Sequence, residues 1–217
     1  MEQTIPLGGC YVSSAYLAPV QHYTKLFQCA SSASTVYLEA HENYIKQTYR
    51  NRCNIAAANG VLSLSIPIEK PNTLKCLTKD IRISDHGNWR RLHWNALCSA
   101  YNMSPFFEYY EADFAPFYEN KVEYLFDFNQ QLEQLICELL DLHPIIRSTS
   151  EFQAELPNDF RYSIRPKHAP EDKAFAPKSY YQVFKERHGF LPNLSIVDLL
   201  FNMGPEGILV LRDSIHP

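Results

Sequence analysis

Residues 48–68, TYRNRCNIAAANGVLSLSIPI, constrain the fold most strongly because they combine a turn signal with strict alternation of apolar and polar residues. The dipeptide Asn59-Gly60 tolerates two successive positive φ angles and predicts a two-residue type I′ hairpin turn. In the arm after the turn, every second residue is apolar, so one face of this strand is expected to be buried. The apolar residues of that arm are Leu62, Leu64, Ile66 and Ile68.

The predicted turn also fixes the cross-strand partners of the hairpin. Residues 48–57 should pair with 61–68, and the buried face should contain Cys53, Ile55, Leu64 and Ile66. Arg50 and Arg52 then project side by side from the polar face, with Arg50 opposite Glu69. This face is either an ordinary solvated surface with a weak ion pair, or the floor of a cleft where two guanidinium groups bind a carboxylate or phosphate. Alternation alone does not separate these interpretations.

Composition narrows the class of protein. At 217 residues the chain can bury one large core, and we expect a single domain over residues 1–217. The net charge is −4 with scattered basic residues, which argues against nucleic-acid binding. The six cysteines contain no C-x-x-C pair. The start of the chain lacks a signal-peptide pattern and no apolar run approaches the length of a membrane span, so we expect a cytoplasmic protein without a transmembrane segment.

Periodicity elsewhere predicts an α/β fold, a single domain with a mixed β-sheet, a central β-hairpin and packed helices. Residues 151–179 lose all periodicity and carry four prolines, which is typical of a long irregular insertion; we call this segment the flap. The region from Ser104 to Tyr118 is dense in aromatic residues and is expected to form short turns. The other predicted elements are strands at Cys10, Thr35–Leu38, Lys79–Ser84 and Ile145-Ile146, and helices opened by Tyr16-Leu-Ala-Pro19, from an Asn88 N-cap to Tyr101, over Lys121–Leu140, and from a Ser195 capping box.

Three polar residues interrupt apolar patterns and are candidates for function. His93 lies in the apolar stripe of the Asn88–Tyr101 helix and is either a core histidine or a catalytic one. Asn129 lies in the middle of the Lys121–Leu140 stripe and is either a bridge to backbone or a ligand contact. Asp198 follows Ser195 by three residues, as a helix cap does. No metal-ligand spacing, glycine-rich phosphate loop or G-x-S-x-G motif occurs, so we expect neither a metal nor a cofactor.

The order of several short motifs resembles the WbqC family over nearly the whole chain. These motifs are AYLAP (15–19), YRNR (49–52), LSIPI (64–68), NWRRLHW (88–94), AYNMSPFF (100–107), FDFN (126–129) and GFLPNLSIVDLLFNMGPE (189–206). The family is found with genes for O-antigen and other surface polysaccharides, so the resemblance implies work on glycan precursors. Many members carry His-Gln-Pro before the first matching tyrosine, where this chain has Val12, Ser13 and Ser14.

The resemblance implies a set of site residues at matching positions of this chain. They are Tyr16, Tyr49, Arg50, Asn51, Arg52, Trp89, His93, Tyr101, Asn129, Asn193 and Asp198. Within this set we expect five to line one concavity under part of the flap: Arg50, Arg52, His93, Asn129 and Asn193.

The resulting hypothesis is a transferase of polysaccharide biosynthesis acting on a nucleotide- or lipid-linked sugar with an acyl or aminoacyl donor. His93 and Asp198 would be catalytic, with His93 as general base toward an amine or hydroxyl. The arginines would hold phosphate or carboxylate, the aromatic residues would stack on the ligand, and the asparagines would read its polar groups. A non-catalytic glycan-binding or assembly protein is the alternative.

Overall fold

The described chain has the mixed α/β architecture predicted from the sequence. The computed structural model describes residues 9–70 and 75–216. Its strands are β1 (Cys10–Ser13), β2 (Thr35–Glu39), β3 (Arg52–Ala57), β4 (Gly60–Ser65) and β5 (Ile145–Ser148). Its helices are α1 (Val20–Ser31), α2 (Trp89–Tyr101), α3 (Phe107–Glu119), α4 (Leu125–Leu139), α5 (Lys185–His188), α6 (Ile196–Met203) and α7 (Gly207–Asp213). These elements pack around one continuous apolar core.

A parallel sheet in the order β1-β2-β5 places several strand ends on one edge. β1, α1 and β2 form the predicted strand–helix–strand unit, and residues of both strands facing α1 are fully buried, among them Val12 and Val36. Because the strands run parallel, their carboxyl ends meet on the same side, where ligands bind in open α/β sheets. Ser13 and Glu39 end two neighbouring strands at this edge.

The flap contains no regular helix or strand, yet part of it is hydrogen-bonded to the sheet. The Tyr11 N–H donates to the carbonyl of Asn158 (3.0 Å), and the Phe160 N–H donates to the carbonyl of Tyr11 (2.8 Å). Residues 158–160 therefore run parallel to β1 and cover its outer edge. The chain after Phe160 consequently leaves the sheet at the same carboxyl edge as β1 and β2.

The hairpin forms within the predicted residues, but its strands are shorter than the predicted 48–57 and 61–68 and its turn is different. Ala57 pairs with Gly60, so the turn residues are Ala58 and Asn59, and the register is shifted by two residues from the prediction. Gly60 has φ of +105°, whereas Asn59 is not among the residues with positive φ. A type I′ turn at Asn59-Gly60 requires positive φ at both residues, so that prediction is wrong.

The buried face of the hairpin is confirmed despite the shifted register. Cys53, Ile55, Leu64 and Ile66 are all buried. A shift by an even number of residues keeps every side chain on its predicted face, because side chains alternate with a period of two. Leu62, by contrast, is 39% exposed, because β4 extends beyond the core at its turn end.

The turn geometry predicts different costs for substituting its two neighbouring residues. Gly60→Ala should destabilise the protein by about 1–2 kcal/mol, because alanine is strained at φ +105° and nothing lies within 4 Å to compensate. Asn59→Ala should change the free energy of unfolding by less than about 0.5 kcal/mol. Urea denaturation of both variants measures this difference. Equal losses at the two positions would instead indicate a type I′ turn.

The predicted helices form, with differences at their starts. α1 begins at Val20, after the predicted start at Tyr16–Pro19. α2 ends at Tyr101 as predicted, but Asn88 before it is left-handed and makes no side-chain cap. α4 begins at Leu125, four residues after the predicted start at Lys121, and Asn129 points inward as predicted. The short turns expected at Ser104–Tyr118 are wrong. α3 occupies most of this region, and its dense aromatic residues obscured a helical period.

The predicted strand at Lys79–Ser84 is also wrong. A 3₁₀ turn occupies Thr78–Asp80, and Ile83 makes only an isolated bridge to Ile68. Ile81 and Ile83 nevertheless face the core. Among residues 9–70 and 75–216, no helix has the length and apolar character needed to cross a membrane.

Candidate functional site

His93, the predicted general base, is enclosed by aromatic side chains. Its Nδ1 atom lies 3.0 Å from the hydroxyl of Tyr16, which also contacts the hydroxyl of Tyr118 at 2.9 Å. Trp89 packs edge-on against the imidazole at 5.1 Å. Burial lowers the pKa of His93 from its ordinary value of 6.5 to about 4, and a hydrogen bond to the Ser65 backbone acts in the opposite direction. This environment is that of a neutral core histidine.

The low pKa of His93 predicts a pH dependence of stability. Between pH 6.5 and pH 4 the unfolded chain binds a proton at His93 that the folded chain does not bind, so stability falls as the pH is lowered through this window. The contribution is about 3 kcal/mol. Urea denaturation at pH 7 and pH 4.5 should therefore show a smaller loss of stability in His93→Gln than in the wild type. His143→Gln, which alters an exposed histidine, should keep the wild-type loss; the same slope in all three proteins would contradict the assignment.

The predicted stacking residues are not exposed surfaces. Tyr16, Tyr49 and Trp89 are each less than a tenth exposed and belong to the core. Tyr16 and Tyr49 are also joined through their backbones, because the Tyr16 N–H donates to the Tyr49 carbonyl at 2.8 Å. Their role in this structure is packing beside the site.

Arg50 does not pair with Glu69 across the hairpin, and that prediction is wrong. It lies in the turn before β3 and is buried, with its Nε donating to Oε1 of Glu42 (2.7 Å) and its Nη2 donating to Oγ of Ser13 (2.6 Å). Burial raises the pKa of the Glu42 carboxyl, and the nearby Arg50 charge opposes this shift. The Arg50 charge is therefore neutralised inside the protein. Arg52, on β3, is only half-buried, and its Nε has no hydrogen-bond partner among the described residues.

Asn129 links three segments of the chain. Its side-chain amide donates to the carbonyl of Arg50 (2.8 Å) and to Oγ of Ser14 (3.0 Å). The Oδ1 atom of Asn129 is buried and has no partner among the described residues. Of the two interpretations of Asn129, the bridge to backbone is the one that the structure contains.

This bridge predicts a stability cost for Asn129→Leu. The substitution leaves the Arg50 carbonyl and the Ser14 hydroxyl without their donor, which should cost about 1–3 kcal/mol. Gln131→Leu, at an exposed position on the same helix, is the matched control and should stay near the wild type. Chemical denaturation provides the measurement. An Asn129→Leu protein as stable as the control would show that the bridge contributes nothing.

The remaining predicted residues have separate partners. Asp198 accepts hydrogen bonds from the hydroxyls of Tyr101 (2.9 Å) and Tyr180 (2.7 Å) and from the amide of Gln182 (2.7 Å). Burial raises the pKa of the Asp198 carboxyl, and these three donors lower it. The capping role expected of its side chain is wrong, since only Ser195 caps α6. Asp198 instead holds the chain before α5 against the core.

Asn193 and Asn51 likewise serve local structure. Asn193 accepts from the Gln21 N–H (2.9 Å) at the start of α1, and its amide donates back to the Gln21 side chain (3.2 Å). The Asn51 amide donates to the Ile66 carbonyl at 2.8 Å and joins the two arms of the hairpin. Of the five residues expected to line one concavity, only Arg50 lines the cavity described below.

The structure instead brings Arg50 together with residues that periodicity did not identify. A small space of about 10 Å³, which we call the carboxyl-edge cavity, lies where β1 ends. Its lining residues are Ser13, Ser14, Ala15, His22, Tyr49, Arg50, Phe160 and Ile164. A volume of this size holds about one water molecule. Phe160 and Ile164 belong to the flap, which thus forms one wall of the cavity.

The least expected residue in the cavity lining is His22, which lies in the first turn of α1. Its Nε2 lies 2.7 Å from Oε2 of Glu133, and both side chains are almost fully buried. Oε1 of Glu133 has no hydrogen-bond partner among the described residues. His22 and Glu133 are 111 positions apart, so no local pattern could have paired them.

The flap is held to the same edge by Arg161. Its side chain is fully buried and donates from Nη1 to Oε2 of Glu39 (2.6 Å) and from Nη2 to Oδ2 of Asp159 (2.7 Å). The Arg161 carbonyl also accepts from Oγ of Ser13 at 2.9 Å. Within the described ranges, no group of three or more His, Cys, Asp or Glu residues is placed to hold a metal ion.

The fold and the site define an α/β protein with a small cavity at the carboxyl end of β1, lined by both polar and apolar side chains. The chain belongs to the WbqC-like protein family, whose sequence profile matches residues 15–164. Ser13 and Ser14 lie just before the matched range.

The chain is also similar to a curated protein, whose name states no function. The chain is 25% identical over 194 aligned residues to the uncharacterized protein Rv1507c of Mycobacterium tuberculosis, covering 78% of this chain and 84% of that protein. No solved structure matches the chain significantly.

Proposed function

We propose that the protein is a group-transfer enzyme of surface-glycan biosynthesis, acting on a nucleotide- or lipid-linked sugar. The observation that carries this proposal is the carboxyl-edge cavity, in which His22, Ser13 and Ser14 meet beneath a flap. Ligands of open α/β proteins bind outside the carboxyl ends of parallel strands, and this cavity lies at that edge. Membership of the WbqC-like family supplies the glycan context, through the resemblance described above.

The cavity is in a closed form that must open to admit a sugar. Its volume of about 10 Å³ is far below the several hundred Å³ of ordinary ligand pockets. Phe160 and Ile164 form its flap wall, whereas its other lining residues lie on or next to β1, α1 and the hairpin. We infer that displacement of residues 161–164 opens the site. A flap that closes over a bound substrate would also exclude water from the transfer step.

The two arginines take different parts in this proposal. Arg50 is neutralised by Glu42, so it shapes the cavity and is a poor clamp for phosphate. Arg52 is half-buried rather than fully enclosed, so it is the better candidate to bind a substrate phosphate or carboxylate.

A non-catalytic glycan-binding protein is the second candidate. It is favoured by the enclosure of His93 and by the internal pairing of most buried charges at the cavity, including Arg50 and Arg161. The two candidates differ in whether a covalent product forms after binding.

A ligand screen with mass spectrometry tests the proposed function. Thermal shifts should be measured with nucleotide sugars and acyl or aminoacyl donors, singly and in pairs, and mixtures should then be analysed for a modified sugar. We expect a stabilising shift of a few degrees and a sugar carrying the transferred group. Binding without any product would support the glycan-binding candidate, and no shift with any combination would contradict both.

Two alanine positions provide a matched test of whether the ligand binds in the carboxyl-edge cavity. Ala15→Val adds two methyl groups in a wall of the cavity and should abolish the ligand-induced shift. Ala56→Val adds the same volume at a buried strand position outside the lining and should retain it. Equal ligand responses in the two variants would place the ligand elsewhere.

A further inference from the structure

The pairing of His22 with Glu133 supports a specific chemical role beside the carboxyl-edge cavity. We propose that His22, oriented by Glu133, is the general base that activates an amine or hydroxyl group of a sugar acceptor. This inference rests on the proposed group-transfer function and names the acceptor class for the same site.

The geometry gives His22 a defined orientation. Its Nε2 is 2.7 Å from Oε2 of Glu133, so with the ring proton on Nε2 the carboxylate accepts a charge-assisted hydrogen bond. This tautomer leaves the lone pair on Nδ1, the nitrogen not engaged by Glu133. A histidine whose far nitrogen is fixed by a buried carboxylate is the base-and-orienter arrangement of nucleophilic enzymes. Glu133 acts through His22 and is a positioning residue.

His93 lacks this arrangement. Its Nδ1 is bonded to the Tyr16 hydroxyl, and no carboxylate contacts its ring. Its neighbours are aromatic, and it does not line the carboxyl-edge cavity. The base role that the sequence suggested for His93 is therefore better filled by His22.

The polar atoms beside the cavity favour a ligand that donates hydrogen bonds. Asn129 and Glu133 lie one helical turn apart on α4, and Oδ1 of Asn129 and Oε1 of Glu133 are both buried without a partner among the described residues. A buried acceptor without a donor costs about 1–3 kcal/mol, which a ligand donor would recover. Their immediate partners Ser14 and His22 line the cavity. Amines and hydroxyls supply such donors, whereas phosphate does not.

The proposed step begins with transfer of a proton. The acceptor N–H or O–H gives its proton to Nδ1 of His22 while the acceptor lone pair forms a bond to the carbonyl carbon of an activated acyl donor. The tetrahedral intermediate then breaks the bond to the leaving group, which departs with the electron pair and takes the proton from His22. His22 ends neutral, and no oxidant or metal is consumed.

Nitrogen NMR of the full-length protein labelled with ¹⁵N-histidine tests the role of His22. His22→Gln identifies the His22 signals by their loss. At pH 7 we expect a protonated Nε2 and an unprotonated Nδ1. Glu133→Gln should mix the two tautomers and move both shifts, whereas the control Glu138→Gln, at an exposed carboxylate on the same helix, should leave them unchanged. A protonated Nδ1 in the wild type would overturn the proposal.

Sugar probes then test the acceptor class. Millimolar glucosamine supplies an amine and glucose supplies only hydroxyls, and at least one should shift the Nδ1 resonance of His22 while the His93 signals stay in place. A shift with glucosamine alone assigns the amine, and a shift with both assigns a hydroxyl. If neither sugar moves Nδ1, the proposal is wrong. If a sugar shifts the Nδ1 resonance but no transfer product forms, the proposed transfer function is wrong, and His22 is a residue that contacts the sugar.

Discussion

The buried guanidinium of Arg161 is the interaction on which the site depends. A charge in the protein interior is tolerated only when it is paired and hydrogen-bonded, and Arg161 meets this requirement through Glu39 at the end of β2 and Asp159 in the flap. Because Arg161 and Asp159 belong to the flap and Glu39 belongs to the sheet, the pair between Arg161 and Glu39 forms only when the flap is docked, and undocking would leave the buried Glu39 carboxylate without this partner. Docking in turn places Phe160 and Ile164 over the carboxyl-edge cavity. The ion pair between Arg161 and Glu39 therefore favours the conformation in which the flap covers the cavity.

The sequence predicted those features that depend on local periodicity. The buried face of the hairpin was correct although its register was not, since a shift by two residues exchanges partners without exchanging faces. The strand–helix–strand unit and the inward Asn129 followed from apolar spacing alone. α3 was missed because its aromatic residues are found on both its buried and its exposed faces, as Phe114 and Tyr109 show, and the pattern that marks an amphipathic helix is weak there.

The candidate site was harder to predict from the sequence, because the residues that contact one another there are far apart along the chain. Arg161 and Glu39 are 122 positions apart, and no spacing rule connects them. His22 was overlooked for a different reason: it lies in a helix whose apolar stripe was taken as its only buried face, whereas α1 is buried on nearly all sides of its first two turns. Arg50 was identified, but its pairing with Glu42 depends on a turn that alternation did not predict.

The backbone pairing of the flap with β1 has a consequence for the conformations that the protein can populate. Without residues 158–160, β1 would present unpaired N–H and C=O groups along an open sheet edge, and such edges recruit strands from other molecules. Opening the entire flap would therefore expose the cavity, but it would also expose an edge of the sheet that is prone to self-association. A hinge beyond Phe160, which releases Ile164 while the edge stays covered, separates these two effects. Access to the cavity and resistance to self-association therefore depend on neighbouring residues of the same segment, and a substitution that favours one can oppose the other.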